Sequence, residues 1–322
     1  MQREQGPPLE LYEFFAGAGG FSTGAAQAGC KVVYVCDNSA SALETHKRNH
    51  PATEHQCAEL PNDDAAAKLP TDGRRYHVHC SPPCVRMSKM NALNVRMGNK
   101  GTSGRQGAAN LIEWSLEMML ASQCTSWSLE QVGEHEVVQV VERVSRKHPG
   151  RIAYAVIDFA ELGVPQTRVR LIAAPPRLLA CLLRKRSAAR RQSVRQAIRE
   201  PRGTHVRQGQ THKRLGLRVD RKPGQTMYHY RKATWSDNCR SIGRPAHTVR
   251  GGHSHVWVTI DKGEALSHTV MHANEMAALQ TFPPDYEFPK RKNDACVQIG
   301  NAVPPLVAKL LLEDEARQSR QL

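Results

Sequence analysis

The sequence predicts an α/β protein: a doubly wound, mostly parallel sheet with a smaller domain attached. Three observations carry this. Short apolar runs alternate with helical patterns from Leu11 to Glu130, the signature of strand–helix–strand units. Glycines, carboxylates and a Pro-Pro-Cys sequence collect at the carboxyl ends of those runs, where an open parallel sheet binds its ligands. The length, 322 residues, is enough to bury a large core and still leave a second domain.

Taken in order, residues 11–15 (LYEFF) read as a short buried strand. A glycine-rich turn, Ala16 to Gly20, leads into a small-residue helix from Ser22 to Ala28. Residues 31–36 (KVVYVC) form a second strand ending at Asp37, and a helix spans 39–48. Residues 75–80 (RYHVHC) form a strand that runs into Ser81-Pro82-Pro83-Cys84. Residues 108–122 place apolar side chains at helical spacing, and 124–129 form a strand ending at Glu130. Further on, Gln166, Arg168 and Arg170 are expected on one face of a strand. The expected domains are 1–173, then 174–270, with 271–322 returning to the first.

Composition narrows the class. The nine cysteines are odd in number and none forms a C-x-x-C pair. That excludes a disulfide framework and a structural zinc site, and no metal is expected. No run reaches the length of a membrane span, and the charged start from Met1 to Glu10 does not read as a signal peptide. The expectation is a soluble intracellular protein with free thiols. Lys plus Arg outnumber Asp plus Glu by 45 to 30. From Ala174 to Gly243 there are 18 basic residues against three acids, so this segment carries the chain's entire net charge of +15. A run of charge is usually a solvated face, but an excess gathered into one internal segment, interspersed with Tyr228, Tyr230 and Trp235, points to a polyanionic partner.

Four motifs carry chemistry. Phe15-Ala16-Gly17-Ala18-Gly19-Gly20 joins a strand to a helix, so its backbone can approach a ligand closely. Such turns are often only structural, but Asp37 at the next strand end can hold both ribose hydroxyls of a nucleoside-containing cofactor; otherwise Asp37 reads as a helix N-cap. Pro82 and Pro83 stiffen the backbone ahead of Cys84 and aim its thiol into a cleft. Glu130, at a strand mouth beside an apolar wall, is expected to hold a proton and act as an acid. Gln166, Arg168 and Arg170 put two guanidiniums together, which requires an anion or carbonyls to meet them.

These blocks, in this order, resemble the cytosine-5 DNA methyltransferase family. The glycine turn resembles its F-x-G-x-G-G cofactor loop, Pro82-Pro83-Cys84 its nucleophile motif, and Glu130-Gln131-Val132 its E-N-V. Gln166-Thr167-Arg168-Val169-Arg170 resembles its Q-x-R-x-R, Arg244-Pro245-Ala246-His247-Thr248 its R-P-x-x-T, and Gln298 to Pro305 its closing Q-x-G-N-x-V-P-P. The match runs from about residue 11 to about residue 312.

The resemblance implies a Rossmann-like methyltransferase fold and the cofactor S-adenosylmethionine. It implies double-stranded DNA as partner, with restriction–modification as one setting, and a monomer, cytoplasmic in a bacterium or nuclear in a eukaryote. The Cys84 thiolate would add to carbon 6 of a flipped-out cytosine. Glu130 would protonate or hydrogen-bond ring nitrogen 3, carbon 5 would take the methyl group, and loss of the carbon-5 proton would expel Cys84. Arg168 and Arg170 would hold the base carbonyl and a nearby phosphate, with Gln166, Ser88 and Thr248 on the substrate side. Phe15, Gly17, Gly19, Gly20, Asp37, Glu59, Pro82, Leu111 and Asn301 would line the cofactor pocket. Segment 174–243 would occupy the place of the target-recognition region.

The sequence departs from the family pattern at Val85 (Gln in the family), Gln131 (Asn), Asn38 (an aromatic) and Ser81 (often Gly); none is a catalytic group. The branch of the family that acts on transfer RNA is an alternative. Its Cys-Phe-Thr signature is absent between 174 and 243, where the cysteines are Cys181 and Cys239. A catalytically dead DNA-binding module would lack Cys84 or Glu130, and both are present.

Overall fold

In the computed structural model, the residues described are 6–83, 103–198, 226–231, 240–251, 255–261 and 264–321. Their strands are β1 Glu10–Phe14, β2 Lys31–Asp37, β3 Glu54–Cys57, β4 Tyr76–Cys80, β5 Ser126–Val132, β6 Ala153–Asp158, β7 Val169–Ala174, β8 Thr226–Arg231, β9 Arg240–Ser241, β10 His255–Asp261 and β11 Glu264–Val270. Their α-helices are α1 Gly20–Ala28, α2 Ala40–Asn49, α3 Asp63–Ala66, α4 Ser103–Ala121, α5 His135–Lys147, α6 Pro176–Ala188, α7 Val194–Ala197, α8 Ala273–Leu279, α9 Lys292–Asn301 and α10 Pro305–Ser319. None of these helices alone is long and apolar enough to cross a membrane.

The chain forms two compact units. The first is Met1–Asp158 with Val169–Ala188 and Pro305–Leu322; the second is Phe159–Arg168 with Ala189–Pro304. These bounds differ from a break at 173 and a return at 271. Helix α6 buries Leu178, Leu179 and Leu182 and packs on β6, β7 and α10, so the first unit extends to Ala188. Helices α8 and α9 share a core with Ile242, Val249 and Met271 in the second unit, so only the final helix returns.

The first unit is built on a seven-stranded sheet in the order β3-β2-β1-β4-β5-β7-β6. Neighbours pair in parallel except at β7, which runs antiparallel to both β5 and β6. The doubly wound, mostly parallel sheet read from the sequence is therefore present. Strand β4 is buried at every position, as a central parallel strand covered on both faces must be. Helix α5 buries Val137, Val140, Val141 and Val144, one face at helical spacing, and each contributes about 1.5–3 kcal/mol by leaving water. Helices α1 and α10 lie so close that a Cβ on Gly24 would sit 2.0 Å from the Pro305 carbonyl. The second unit holds a four-stranded sheet in the order β11-β10-β8-β9, antiparallel throughout.

Candidate active site

The carboxyl ends of β1, β2, β4 and β5 bring most of the first unit's candidate residues to one edge. After β1 the chain turns through Phe15, Gly17 and Gly19, all at positive φ. This is left-handed backbone that a residue with a Cβ resists. Gly17 donates its amide to Asp37 Oδ2 at 2.8 Å, and a Cβ built on Gly17 would meet nothing within 4 Å. The turn thus offers open backbone where a ligand can approach. Ser39, not Asp37, caps α2. Asp37 instead takes one backbone N–H on each oxygen, Gly17 on Oδ2 and Ser39 on Oδ1, both at 2.8 Å. Each oxygen keeps a further lone pair, enough to receive two ribose hydroxyls. Burial pushes the Asp37 carboxyl up, opposed by the amides of Ser39 and Gly17. These features fit S-adenosylmethionine: Gly17 and its neighbours would border the amino-acid part, and Asp37 would hold the ribose.

Around this turn, Phe15 stands edge-on to Trp114 of α4, and Leu111 lies one turn earlier on the same helix. Ser81 Oγ donates to the Phe15 carbonyl at 3.2 Å, tying the end of β4 to the start of the turn. Pro82 is buried, and its carbonyl accepts from Gln131 Nε2 at 2.9 Å. Glu59 is exposed two residues past β3. Cys84, Val85 and Ser88 lie outside the described residues.

Glu130 sits inside β5 rather than beyond it, because the ladder to β7 continues to Val132 opposite Arg170. Glu130 pairs directly with Ile172, so Arg170 is its diagonal neighbour on the same face. Arg170 Nε stands 3.1 Å from Glu130 Oε1. Where the sequence predicts an apolar wall, the guanidinium of Arg170 stands beside Glu130. Oε1 is buried and has no hydrogen-bond partner among the described residues; the approach of Arg170 is an ion pair without hydrogen-bond alignment.

The three residues of the Q-x-R-x-R motif do not share a strand face. Gln166 and Arg168 precede β7 and belong to the second unit, while Arg170 lies on β7 in the first. Arg168, 3% exposed, donates to the carbonyls of Val249, Gly300 and Ala302 at 3.0–3.2 Å. Gln166 is fully buried; its Nε2 donates to the Leu279 carbonyl and Gln280 Oε1, and its Oε1 accepts the Val249 amide. Thr248 donates to the Thr167 carbonyl at 2.6 Å. Asn301 ends α9 in the same unit, exposed and beside Gly251.

Sequence reasoning missed a buried polar layer beneath the edge. His77 touches Ser126 Oγ and Ser128 Oγ at 2.7 and 2.8 Å, and His79 touches Ser128 Oγ at 2.8 Å. These side chains add a second ladder between β4, which leads to Cys84, and β5, which carries Glu130. The signal was present: His-x-His in one strand and Ser-x-Ser in the next put polar groups on facing sides of otherwise apolar runs. Among the described residues no group of three His, Cys, Asp or Glu is arranged to hold a metal ion.

A mostly parallel sheet with one reversed strand, an open glycine turn after β1 and a carboxylate at the end of β2 define a methyltransferase that uses S-adenosylmethionine. The model of the C-5 cytosine-specific DNA methylase family matches residues 9–112 and 182–315, and the chain belongs to that family. It is a DNA (cytosine-5)-methyltransferase. It is 27% identical over 316 residues, 94% of this chain and 93% of the relative, to the Type II methyltransferase M.HgiDI of Herpetosiphon aurantiacus. To the Type II methyltransferase M.HindV of Haemophilus influenzae it is 22% identical over 317 residues, 94% of this chain and 95% of the relative. Among solved structures it resembles the Dnmt2 methyltransferase of S. pombe, with a TM-score of 0.59, 14% identity and coverage of 95% of this chain and 97% of that one; this likeness concerns the fold alone.

Proposed function

We propose that Cys84 is the nucleophile and Glu130 the acid of cytosine-5 methylation within a specific double-stranded DNA sequence. The observation that carries this is the tie between their supports: Gln131, next to Glu130, donates to the carbonyl of Pro82, two residues before Cys84. A group one residue from the acid thereby holds the backbone at Pro82, two positions before Cys84 in the sequence. The Cys84 thiolate forms a bond to carbon 6 of the flipped-out base, and the electron pair displaced toward nitrogen 3 is met by a proton or hydrogen bond from Glu130. S-adenosylmethionine supplies the methyl group that carbon 5 takes. Solvent water takes the carbon-5 proton, the carbon–hydrogen electron pair forms the carbon 5–carbon 6 double bond, and the carbon–sulfur pair leaves on Cys84 as its thiolate.

In this reading Arg170 fixes the position of the Glu130 side chain, and Arg168 positions the backbone of residues 249 and 300–302. The pocket for the cofactor comprises Phe15, Gly17, Gly19, Gly20, Asp37, Glu59, Pro82 and Leu111. The second unit reads the target, and the enzyme works as a monomer inside the cell as the modifying partner of a restriction nuclease. Type II relatives support that setting.

DNA carrying 5-fluorocytosine tests the reading, because fluorine cannot leave as a proton does and the covalent adduct persists. The full chain should form a denaturation-resistant complex with such DNA when S-adenosylmethionine is present, and Cys84→Ser should form none. Undiminished trapping by Cys84→Ser would overturn the assignment.

A further inference from the structure

The turn after β1 starts from a strained residue. Phe15 holds φ at +60°, left-handed backbone that a residue with a Cβ resists. Among the described residues, Phe15 and Thr281 are the non-glycine residues at positive φ. Such a conformation persists only where its surroundings hold it. On one side the Ala16 amide donates to the Cys36 carbonyl at 3.2 Å and ties the turn to β2. On the other, Ser81 Oγ donates to the carbonyl of Phe15 itself at 3.2 Å. The Phe15 ring is left half-buried and edge-on to Trp114, with ring centroids 6.4 Å apart.

We propose that Ser81 is a positioning residue for the cofactor: its hydroxyl holds the Phe15 carbonyl, keeps Phe15 left-handed, and so sets the turn and the Phe15 ring in the arrangement that S-adenosylmethionine meets. The support behind the hydroxyl is stiff. Ser81 precedes a proline, which confines its backbone to extended conformations. Its amide donates to the Phe14 carbonyl at 3.4 Å, one step beyond the Phe14–Cys80 pair that ends the β1–β4 ladder. The next carbonyl, of Pro82, accepts from Gln131 Nε2 at 2.9 Å, and Gln131 Oε1 in turn accepts the Val132 amide. The hydroxyl is therefore presented from backbone anchored to both β1 and β5.

Without the hydroxyl, Phe15 gains by relaxing to negative φ, and fewer molecules hold the turn in its binding arrangement. Apparent affinity falls with that fraction. Loss of one neutral hydrogen bond shifts such an equilibrium by about fivefold. The Ser81 side chain takes no part in the bond-making steps, so turnover at saturating cofactor should change little.

The proposal rests on reading residues 15–19 as the cofactor turn. It is tested by titration calorimetry of the full chain with S-adenosylhomocysteine, alongside steady-state methylation of unmodified genomic DNA. Ser81→Ala should bind about fivefold more weakly and raise KM for S-adenosylmethionine to match, with kcat within about twofold of wild type. In a Phe15→Gly background, where glycine takes the left-handed conformation unaided, Ser81→Ala should add less than about twofold. An equal loss in both backgrounds would overturn the route through Phe15. Unchanged affinity, a lowered kcat at unchanged KM, or failure of Ser81→Ala to fold would overturn the role in cofactor binding. Asp37→Ala separates the two readings. If it binds like the wild type, the turn is not the cofactor site. If it binds weakly while Ser81→Ala binds like the wild type, only the proposal for Ser81 fails.

Discussion

The two units use buried polar side chains in opposite ways. At the sheet edge of the first, Asp37 retains acceptor capacity beyond its two backbone amides, and Glu130 Oε1 lacks a hydrogen bond among the described residues. In the second, Gln166, Thr248 and the two terminal nitrogens of Arg168 are directed at carbonyls and amides of their own unit. Buried polar groups are ordinarily satisfied. Groups at the sheet edge with spare acceptor capacity are open to a ligand, and groups that spend their bonds on the backbone of their own unit are scaffold. Motif residues that look alike in sequence thus divide into two kinds once their hydrogen bonds are known.

The sharpest way to break this division is to exchange the two kinds. Cys84→Ser should abolish methyl transfer while leaving cofactor affinity nearly intact, because a serine hydroxyl is far less ionised than a thiol; tritiated methyl incorporation and cofactor titration read the two effects side by side. The arginine pair comes next. Arg170→Ala should slow turnover with little change in melting temperature. Arg168→Ala should unfold earlier, losing roughly 3 kcal/mol as carbonyls that met a charged donor go unsatisfied. If Arg168→Ala melts like the wild type but cannot turn over, Arg168 belongs with the chemistry after all.

Smaller effects sharpen the comparison within the first unit. Ser128→Ala removes the shared partner of His77 and His79 and should cost about 1–3 kcal/mol in a denaturant titration. Acid acts on this layer and on His46 and His50 at the end of α2. Burial holds His77 near 3 and His50 near 4, and lowers His46 and His79. The unfolded chain binds protons at these residues below the ordinary histidine value of about 6.5, before the folded chain does. Their contribution is present above that value and is lost as pH falls toward 3. Melting temperature should drop across that window, and a flat profile would contradict the buried, neutral assignment. Outside the catalytic unit, Arg190→Ala should flatten the salt dependence of DNA binding by about one unit of slope for a lost phosphate contact. Its neighbour Arg191 already pairs with Glu161 at 3.1 Å.

Much of the first unit was legible in the sequence because its strands are short apolar runs with their functional residues at or near the ends. Asp37 ends β2, and Pro82 lies two residues past β4. Less legible was whatever depends on register between distant strands. Arg170 reaches Glu130 because β7 runs antiparallel to β5 with Val132 opposite Arg170, and no local pattern fixes that pairing. The same holds for Gln166, whose partners lie 83 to 114 residues away. The basic segment was read as one polyanion-binding region, yet its first part is helix α6, where Lys185 is already engaged by Glu313 and Asp314 at 3.0 and 2.8 Å. Charge counting does not distinguish a cation turned to solvent from one paired at home.

Glu130, the carboxyl on β5 with an oxygen that lacks a hydrogen bond among the described residues, is expected to take part in the chemistry. Glu130→Gln under single-turnover conditions, with cofactor and DNA affinities measured on the same protein, tests it most directly. Methyl transfer should slow by roughly a hundredfold or more, as loss of a positioned general acid does, with both affinities close to wild type. Collapse of binding with normal turnover of the bound complex would contradict it and make Glu130 a structural residue.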